Sequence, residues 1–218
     1  MDLLHWFVDF ILHIDQHLIQ LLADYGTTTI FIIALIIFCE TGLVVTPILP
    51  GDSMIFAFGA LAARSETHLN VHLCAVIFIT AAFLGNLANY SIGRFIGPRV
   101  YEKNYKLIRR EYLDRTKKFF DKYGAATIIY TRFAPILRTF APFIAGVGQM
   151  QLPRFVLFNF IGGFLWVVAF IYAGFFFGNI PFVKEHFEGI VIGIILVSLV
   201  PAVYAFLKTR MSKKASTQ

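Results

Sequence analysis

The sequence predicts an all-α polytopic membrane protein: an inverted repeat with two opposed re-entrant helical hairpins, long transmembrane helices and amphipathic helices. Three observations predict it. The 218 residues are 58% hydrophobic and only 15% charged, with a mean hydropathy of +0.72, whereas a soluble domain carries roughly 25% charged residues. Residues 155–183 run 29 positions without a charge and residues 189–207 run 19, close to the roughly 20 needed to cross the hydrocarbon. Two further apolar stretches are interrupted by proline, glycine and charge, so neither spans simply.

The first element is amphipathic. Leu3, Phe7, Phe10, Ile11, Ile14, Leu18, Leu21 and Leu22 recur at helical spacing, with Asp9, His13, Gln16, His17 and Gln20 largely on the other side. Its acidic start, with Asp9 and Asp15 inside it and no small-residue cleavage site, does not read as a signal peptide. Residues 27–63 form the first hairpin. Thr27 to Cys39 gives 13 uncharged residues, roughly 20 Å of helix in a hydrocarbon layer roughly 30 Å thick. The chain then meets Glu40, Pro47, Pro50, Gly51 and Asp52 before a second apolar arm from Ser53 to Ala63. The span 71–98 follows. A basic amphipathic helix, 101–123, opens the second half, with Tyr101, Tyr105, Ile108, Tyr112, Phe119 and Tyr123 along one face. The second hairpin, 125–148, breaks around Arg132, Pro135, Arg138 and Pro142, and the span 153–178 follows. A last span, 189–207, and a basic tail, 208–218, complete the chain.

The halves resemble each other. "DYGTTTIFIIA" (24–34) and "KYGAATIIYTR" (122–132) stand 98 residues apart, and both precede a broken segment and a long apolar helix. Those helices end in Gly93-x-x-x-Gly97 and Gly174-x-x-x-Gly178. The reading is a single membrane domain, 1–218, with a first repeat over 1–98, a second over 99–178 and one extra span. Both glycine pairs permit close helix packing, within the bundle in preference to a homo-oligomer seam.

The formal charge of +6 does not point to nucleic acid. Nine of the nineteen Lys and Arg lie in 99–122 and four in 208–214, and clustered basic loops beside spans mark the cytoplasmic side. With those loops inside, the second hairpin enters from the cytoplasm and the first from the opposite face, so that the broken helices meet near the midplane. Cys39 and Cys74 lie in apolar segments and fit neither a disulfide framework nor a zinc site. His13/His17 and His68/His72 have i, i+4 spacing but no matching third ligand, and read as solvated faces or loops. No metal or cofactor is expected.

The chemistry concentrates in the hairpins. They hold Glu40, Asp52, Arg132 and Arg138, while the other apolar segments hold almost no ionisable group. Each such charge at the bilayer centre costs at least roughly 2.5–3.5 kcal/mol on insertion scales. Two acids and two arginines cancel, which predicts pairing between the hairpins. Non-helical backbone at depth survives only inside protein or around a cavity, so the prolines predict a cavity. The plain reading is a set of structural ion pairs; the sharper one is an anion site, because planar guanidinium forks suit phosphate. An incoming phosphate would displace the carboxylates, which would then favour protonation. That is a route to proton-linked transport.

"ETGLVVTPILPGDS", "GNLANYSIGRFIG" and "TRFAPILRTFAPFIAGVG" resemble the DedA family of membrane proteins, within the superfamily that shares the VTT (SNARE-associated) domain. The resemblance covers roughly residues 5–207. It implies opposed re-entrant hairpins in a bacterial inner membrane, a role in envelope homeostasis and proton-linked lipid transport, including recycling of undecaprenyl phosphate. Distant eukaryotic relatives with this domain behave as phospholipid scramblases. The family's functional acids map onto Glu40 and Asp52, its arginines onto Arg132 and Arg138, and its break positions onto Pro47, Pro50, Gly51, Pro135 and Pro142. Family members often carry an acid where this chain has Asn86; Asn86 and Asn89 are therefore auxiliary candidates. The partners implied are membrane lipids, an anionic phosphate-headed lipid above all, and protons.

Three other functions stand beside the flippase: a proton-coupled exporter of a small solute or cation, an intramembrane lipid enzyme, and a passive assembly factor. The enzyme is disfavoured, since no histidine lies in an apolar segment and no Ser/His or metal-ligand set accompanies the arginines.

Overall fold

A computed structural model describes residues 20–22, 24–43, 51–64, 67–102, 120, 123–178, 180, 181, 189 and 193. The N-terminal amphipathic helix, Pro47 and Pro50, the basic helix 101–123, the last span and the basic tail lie wholly or largely outside the described residues.

Every described element is helical: α1 (Thr28–Gly42), α2 (Gly51–Ala62), α3 (Val71–Glu102), α4 (Thr127–Thr131), α5 (Pro135–Val147) and α6 (Leu152–Phe177). At 1.5 Å per residue, the 26 residues of α6 reach roughly 39 Å, ample for a crossing. The 15 of α1 and 12 of α2 reach only roughly 22 and 18 Å. The long-span and short-arm division read from composition is thus present. The span expected over 71–98 runs four residues further, to Glu102.

Local chemistry explains the breaks. Ala134 precedes a proline and is extended, at φ −122° and ψ 108°, because the pyrrolidine ring excludes the helical region for its predecessor. Pro135 then opens α5, where a missing N–H removes no intrahelical bond. Gly51 opens α2, with Asp52 in the first turn, where the helix dipole favours an anion. Pro142 was expected at the turn but lies inside α5, buried. It removes the bond that would reach back to the Arg138 carbonyl, and α5 continues because neighbouring helices in a membrane bundle support such a position.

The correspondence between the halves extends to backbone detail. Gly26 and Gly124 both take left-handed φ, +54° and +70°. Each donates its N–H at 2.8 Å to the carbonyl four residues back, and Thr29 and Thr127 donate to Gly26 and Gly124 at 3.2 and 3.3 Å. The packing is reciprocal as well. α1 packs on α3 and α2 on α6, while α4 packs on α6 and α5 on α3. Exchanging the halves leaves that pattern unchanged.

Both small-residue motifs face helices of their own chain. A Cβ on Gly93 would overlap the Phe143 carbonyl oxygen, and one on Gly97 would stand 2.9 Å from that of Val147, both on α5. On the other side, a Cβ on Gly174 would overlap the Phe56 carbonyl oxygen and one on Gly178 would press on Ala60, both on α2. The four glycines allow each long helix to lie backbone against backbone with a hairpin arm.

The larger apolar cluster joins α1, α2, α3 and α6 through side chains such as Ile33, Phe58, Phe78 and Ile171; a smaller one gathers Tyr90, Ile128, Ala145 and Phe155. Outward, the long helices expose Leu73, Val76, Leu84, Phe95, Leu157, Phe160 and Phe176. An apolar exterior around buried charge is the inverse of a water-soluble surface and suits contact with lipid tails. His72 accepts or donates at 2.5 Å to Tyr172 Oη between α3 and α6, and His68 sits in the connecting loop at φ 49°. Neither Cys39 nor Cys74 takes part in a disulfide among the described residues.

Candidate functional site

The two hairpins meet at an ion cluster. Glu40, near the end of α1, is 0% exposed; Asp52, at the start of α2, is 9%; Arg138, in α5, is 3%. Arg138 Nη2 donates to Glu40 Oε1, and Nη1 donates to Asp52 Oδ1 at 2.5 Å. One guanidinium therefore spans the acids of both arms of the opposing hairpin, using its two terminal nitrogens separately. The Glu40–Arg138 pair joins positions 98 residues apart, the spacing that relates the halves. Acid and base thus stand at the same offset as the two Tyr-Gly motifs.

Other side chains hold this cluster. Trp166, fully buried in α6, donates from Nε1 to Asp52 Oδ1 at 2.8 Å. Its ring centroid lies 4.9 Å from Arg138 Cζ, within cation–π range. Asn89 Nδ2 in α3 donates to the Thr41 carbonyl at 3.1 Å and the Thr139 carbonyl at 2.8 Å. Those residues directly follow Glu40 and Arg138, so a single amide ties both charged turns to the long helix. Gly51 lies against Glu40, where a Cβ would overlap Oε2.

Arg132 is placed differently from expectation. It follows α4 and is 1% exposed, yet it meets no carboxylate among the described residues. Its Nη2 donates to Asn159 Oδ1 at 2.6 Å, with the Ala82 and Asn159 carbonyls at 3.4 Å. Asn86 lies beside it, its amide within 3.0 Å of Asn159 Oδ1. Turned so that its oxygen faces the arginine, that amide accepts from Arg132 Nη2 at 2.8 Å and donates to the Thr41 carbonyl at 3.3 Å. The pairing expected between the two broken segments is made by Arg138, which takes both acids, while Arg132 takes amides and carbonyls.

Asn159 and Trp166 had not been singled out in the sequence. The available signal was polarity: Asn159 is an uncharged polar residue in a long apolar span, and polar side chains inside a membrane need a partner. Trp166 carried no comparable signal. Two cavities are described, and both lie away from the ion cluster. Among the described residues, an open cavity of about 710 Å³ lies between Tyr90, Ser91, Arg94, Phe95, Gln151, Leu152 and Pro153. One of about 250 Å³ lies beside Gly148 and Arg154. Glu40, Asp52, Arg132 and Arg138 line neither, and all four are buried.

Trp166→Phe keeps an aromatic face over Arg138 but removes the hydrogen bond to a charged acceptor. Stability is expected to fall by about 2 kcal/mol, read as a lower Tm of the detergent-purified protein. An unchanged Tm would show that the indole N–H contributes nothing to holding Asp52.

Buried, hydrogen-bonded charges among short apolar helices, beside two helices long and apolar enough to cross a membrane, fit the class of integral membrane proteins. The comparisons agree. The model of the VTT domain matches residues 49–176. Protein DedA of Escherichia coli strain K12 is 50% identical over 209 residues, 95% of each chain. An uncharacterized membrane protein of Mycobacterium tuberculosis is 37% identical over 195 residues, covering 89% of this chain and 86% of its own. The inner membrane protein YghB of E. coli K12 is 32% identical over 181 residues, 82% of each chain. No solved structure matches the chain. The chain belongs to the DedA family of VTT-domain membrane proteins.

Proposed function

We propose that this protein translocates a phosphate-headed lipid across the bacterial inner membrane, coupled to protons, with undecaprenyl phosphate as the best-fitting cargo. The observation that carries the reading is the buried Arg138 held between Glu40 and Asp52, with Arg132 close by on the same hairpin. Buried ion pairs are weak stabilisers, because desolvation offsets much of the Coulomb attraction, and intramembrane charges mark substrate and ion pathways. Guanidinium groups suit a phosphate. A phosphate that engages Arg138 releases carboxylates whose burial is unfavourable unless they bind protons. Substrate entry and proton uptake are then linked in one step.

The charges are enclosed, so this arrangement is an occluded one and transport requires the hairpins to part. The reciprocal packing of α1–α3 with α4–α6 and of α2–α6 with α5–α3 supports an inverted repeat in which one hairpin enters from each face. On this reading the basic loops and the C-terminus are cytoplasmic, and the protein acts as a transporter with no catalytic chemistry.

The test is transbilayer movement of labelled undecaprenyl phosphate in liposomes holding the purified protein, with and without a pH gradient. Wild type is expected to move the lipid, faster with the gradient, and Arg132→Ala and Arg138→Ala to be inactive. Identical traces for all three proteins would end the flippase assignment. Movement of uncharged-headgroup lipids at the same rate would favour a general scramblase, and proton flux driven by a soluble solute would favour an exporter that uses the same carboxylates.

A further inference from the structure

Arg132 and Arg138 are both buried arginines of the second hairpin, but their surroundings differ in one respect. Arg138 has two carboxylates. Arg132 has neutral amides and carbonyls, all gathered at Nη2. Among the described residues its Nε and Nη1 have no hydrogen-bond partner, which leaves three of the five guanidinium N–H groups unmet there. Arginine does not shed its proton to relieve such a situation. A buried full charge with unmet donors is among the most expensive features a fold can keep.

The surroundings are built around that group. Gly162 and Gly163 of α6 lie against it: a Cβ on Gly162 would stand 3.1 Å from Arg132 Cδ, and one on Gly163 would stand 3.3 Å from Cζ and Nη2. The two glycines let the guanidinium lie close to the helix backbone. Asn159 and Asn86, both fully buried, reach Nη2. An aspartate at position 86 has the same shape and would bring a carboxylate within 2.8 Å of Nη2. The amide leaves Arg132 without a direct counter-ion among the described residues.

Building on the phosphate-lipid reading, we propose that Arg132 is the seat that first receives the anionic oxygens of a phosphate monoester, and that Asn86 determines this by being neutral. Arg138 is then the resident partner of the acids, and it enters the exchange only after the phosphate has docked. Asn86 is a specificity-determining position: its amide orients Nη2 and withholds the counter-ion that would compete with the ligand.

The experiment measures ligand-induced Tm shifts of the full-length protein in neutral detergent, titrating farnesyl phosphate in one arm and inorganic phosphate in the other. Wild type is expected to respond to farnesyl phosphate. Asn86→Asp is expected to raise the basal Tm and to weaken the apparent affinity by about tenfold or more, as one close charge pair competes with the ligand. Asn86→Ser, smaller but still neutral, is expected to weaken the affinity clearly less than Asn86→Asp, which separates charge from shape. If wild type responds and Asn86→Asp matches it, the seat is overturned and the flippase reading survives. A response to inorganic phosphate as strong as to farnesyl phosphate keeps the seat but removes the lipid from the reading. If neither ligand shifts wild type, both fall.

Discussion

Arg138→Ala is expected to abolish transport and to destabilise the protein by about 3–5 kcal/mol, the usual effect of removing one partner from a buried ion pair. The effect is large because one side chain serves two acids. Without it, Glu40 at 0% exposure and Asp52 at 9% face each other's charge, with the Trp166 N–H on Asp52 as a remaining named donor. Arg138→Lys tests geometry separately from charge. A lysine keeps the positive charge but replaces two nitrogens fixed in a plane by a single ammonium. It is expected to recover part of the lost Tm and little of the transport. The checks are the Tm in detergent and the liposome flux of each variant. An Arg138→Ala protein with wild-type Tm would mean that the acids are not held by this arginine.

Gly174→Ala is expected to cost about 3 kcal/mol, at the upper end for overpacking by one methyl. The added Cβ would overlap the carbonyl oxygen of Phe56 in α2. A side chain could rotate away from that intrusion, but a backbone carbonyl inside a helix cannot. α2 must therefore separate from α6 along the seam that places Asp52 beside Trp166. Gly59→Ala attacks the same seam from the opposite side, toward the Ile171 carbonyl, so the double variant should be less destabilised than the sum of the two. Gly26→Ala is the control: nothing lies within 4 Å of the added methyl and only the left-handed backbone at φ +54° opposes it, worth about 1–2 kcal/mol. Thermal unfolding of the four variants and wild type decides the matter. Equal Tm values for Gly174→Ala and wild type would show that the two helices are not in backbone contact there.

Much of the fold was legible because each signal was local. The long spans followed from uninterrupted apolar length, and the hairpin arms from lengths too short to cross. Pro135 and Gly51 marked starts because their backbone chemistry acts on adjacent residues only. The same reasoning misplaced Pro142, since whether a proline ends a helix or sits inside it depends on what packs around it. The similar motifs beginning at Asp24 and Lys122 share a backbone feature as well, since Gly26 and Gly124 both take left-handed φ. What escaped was the support around the charges. Asn159, Trp166 and the double tether of Asn89 act over separations of 27 to 114 residues, far beyond any periodic pattern.

By itself the sequence determined that this is a membrane protein with costly charges gathered at two broken segments, because the penalty for burying a charge in hydrocarbon depends only on which residue is buried. It also determined that acids stand in one hairpin and arginines in the other. The tertiary structure decided the pairing. Both acids go to Arg138, and Arg132 is left among amides, since partnership depends on which helix faces meet and how closely their glycines let them approach. Two arginines of identical chemistry, six positions apart, thereby acquire different partners.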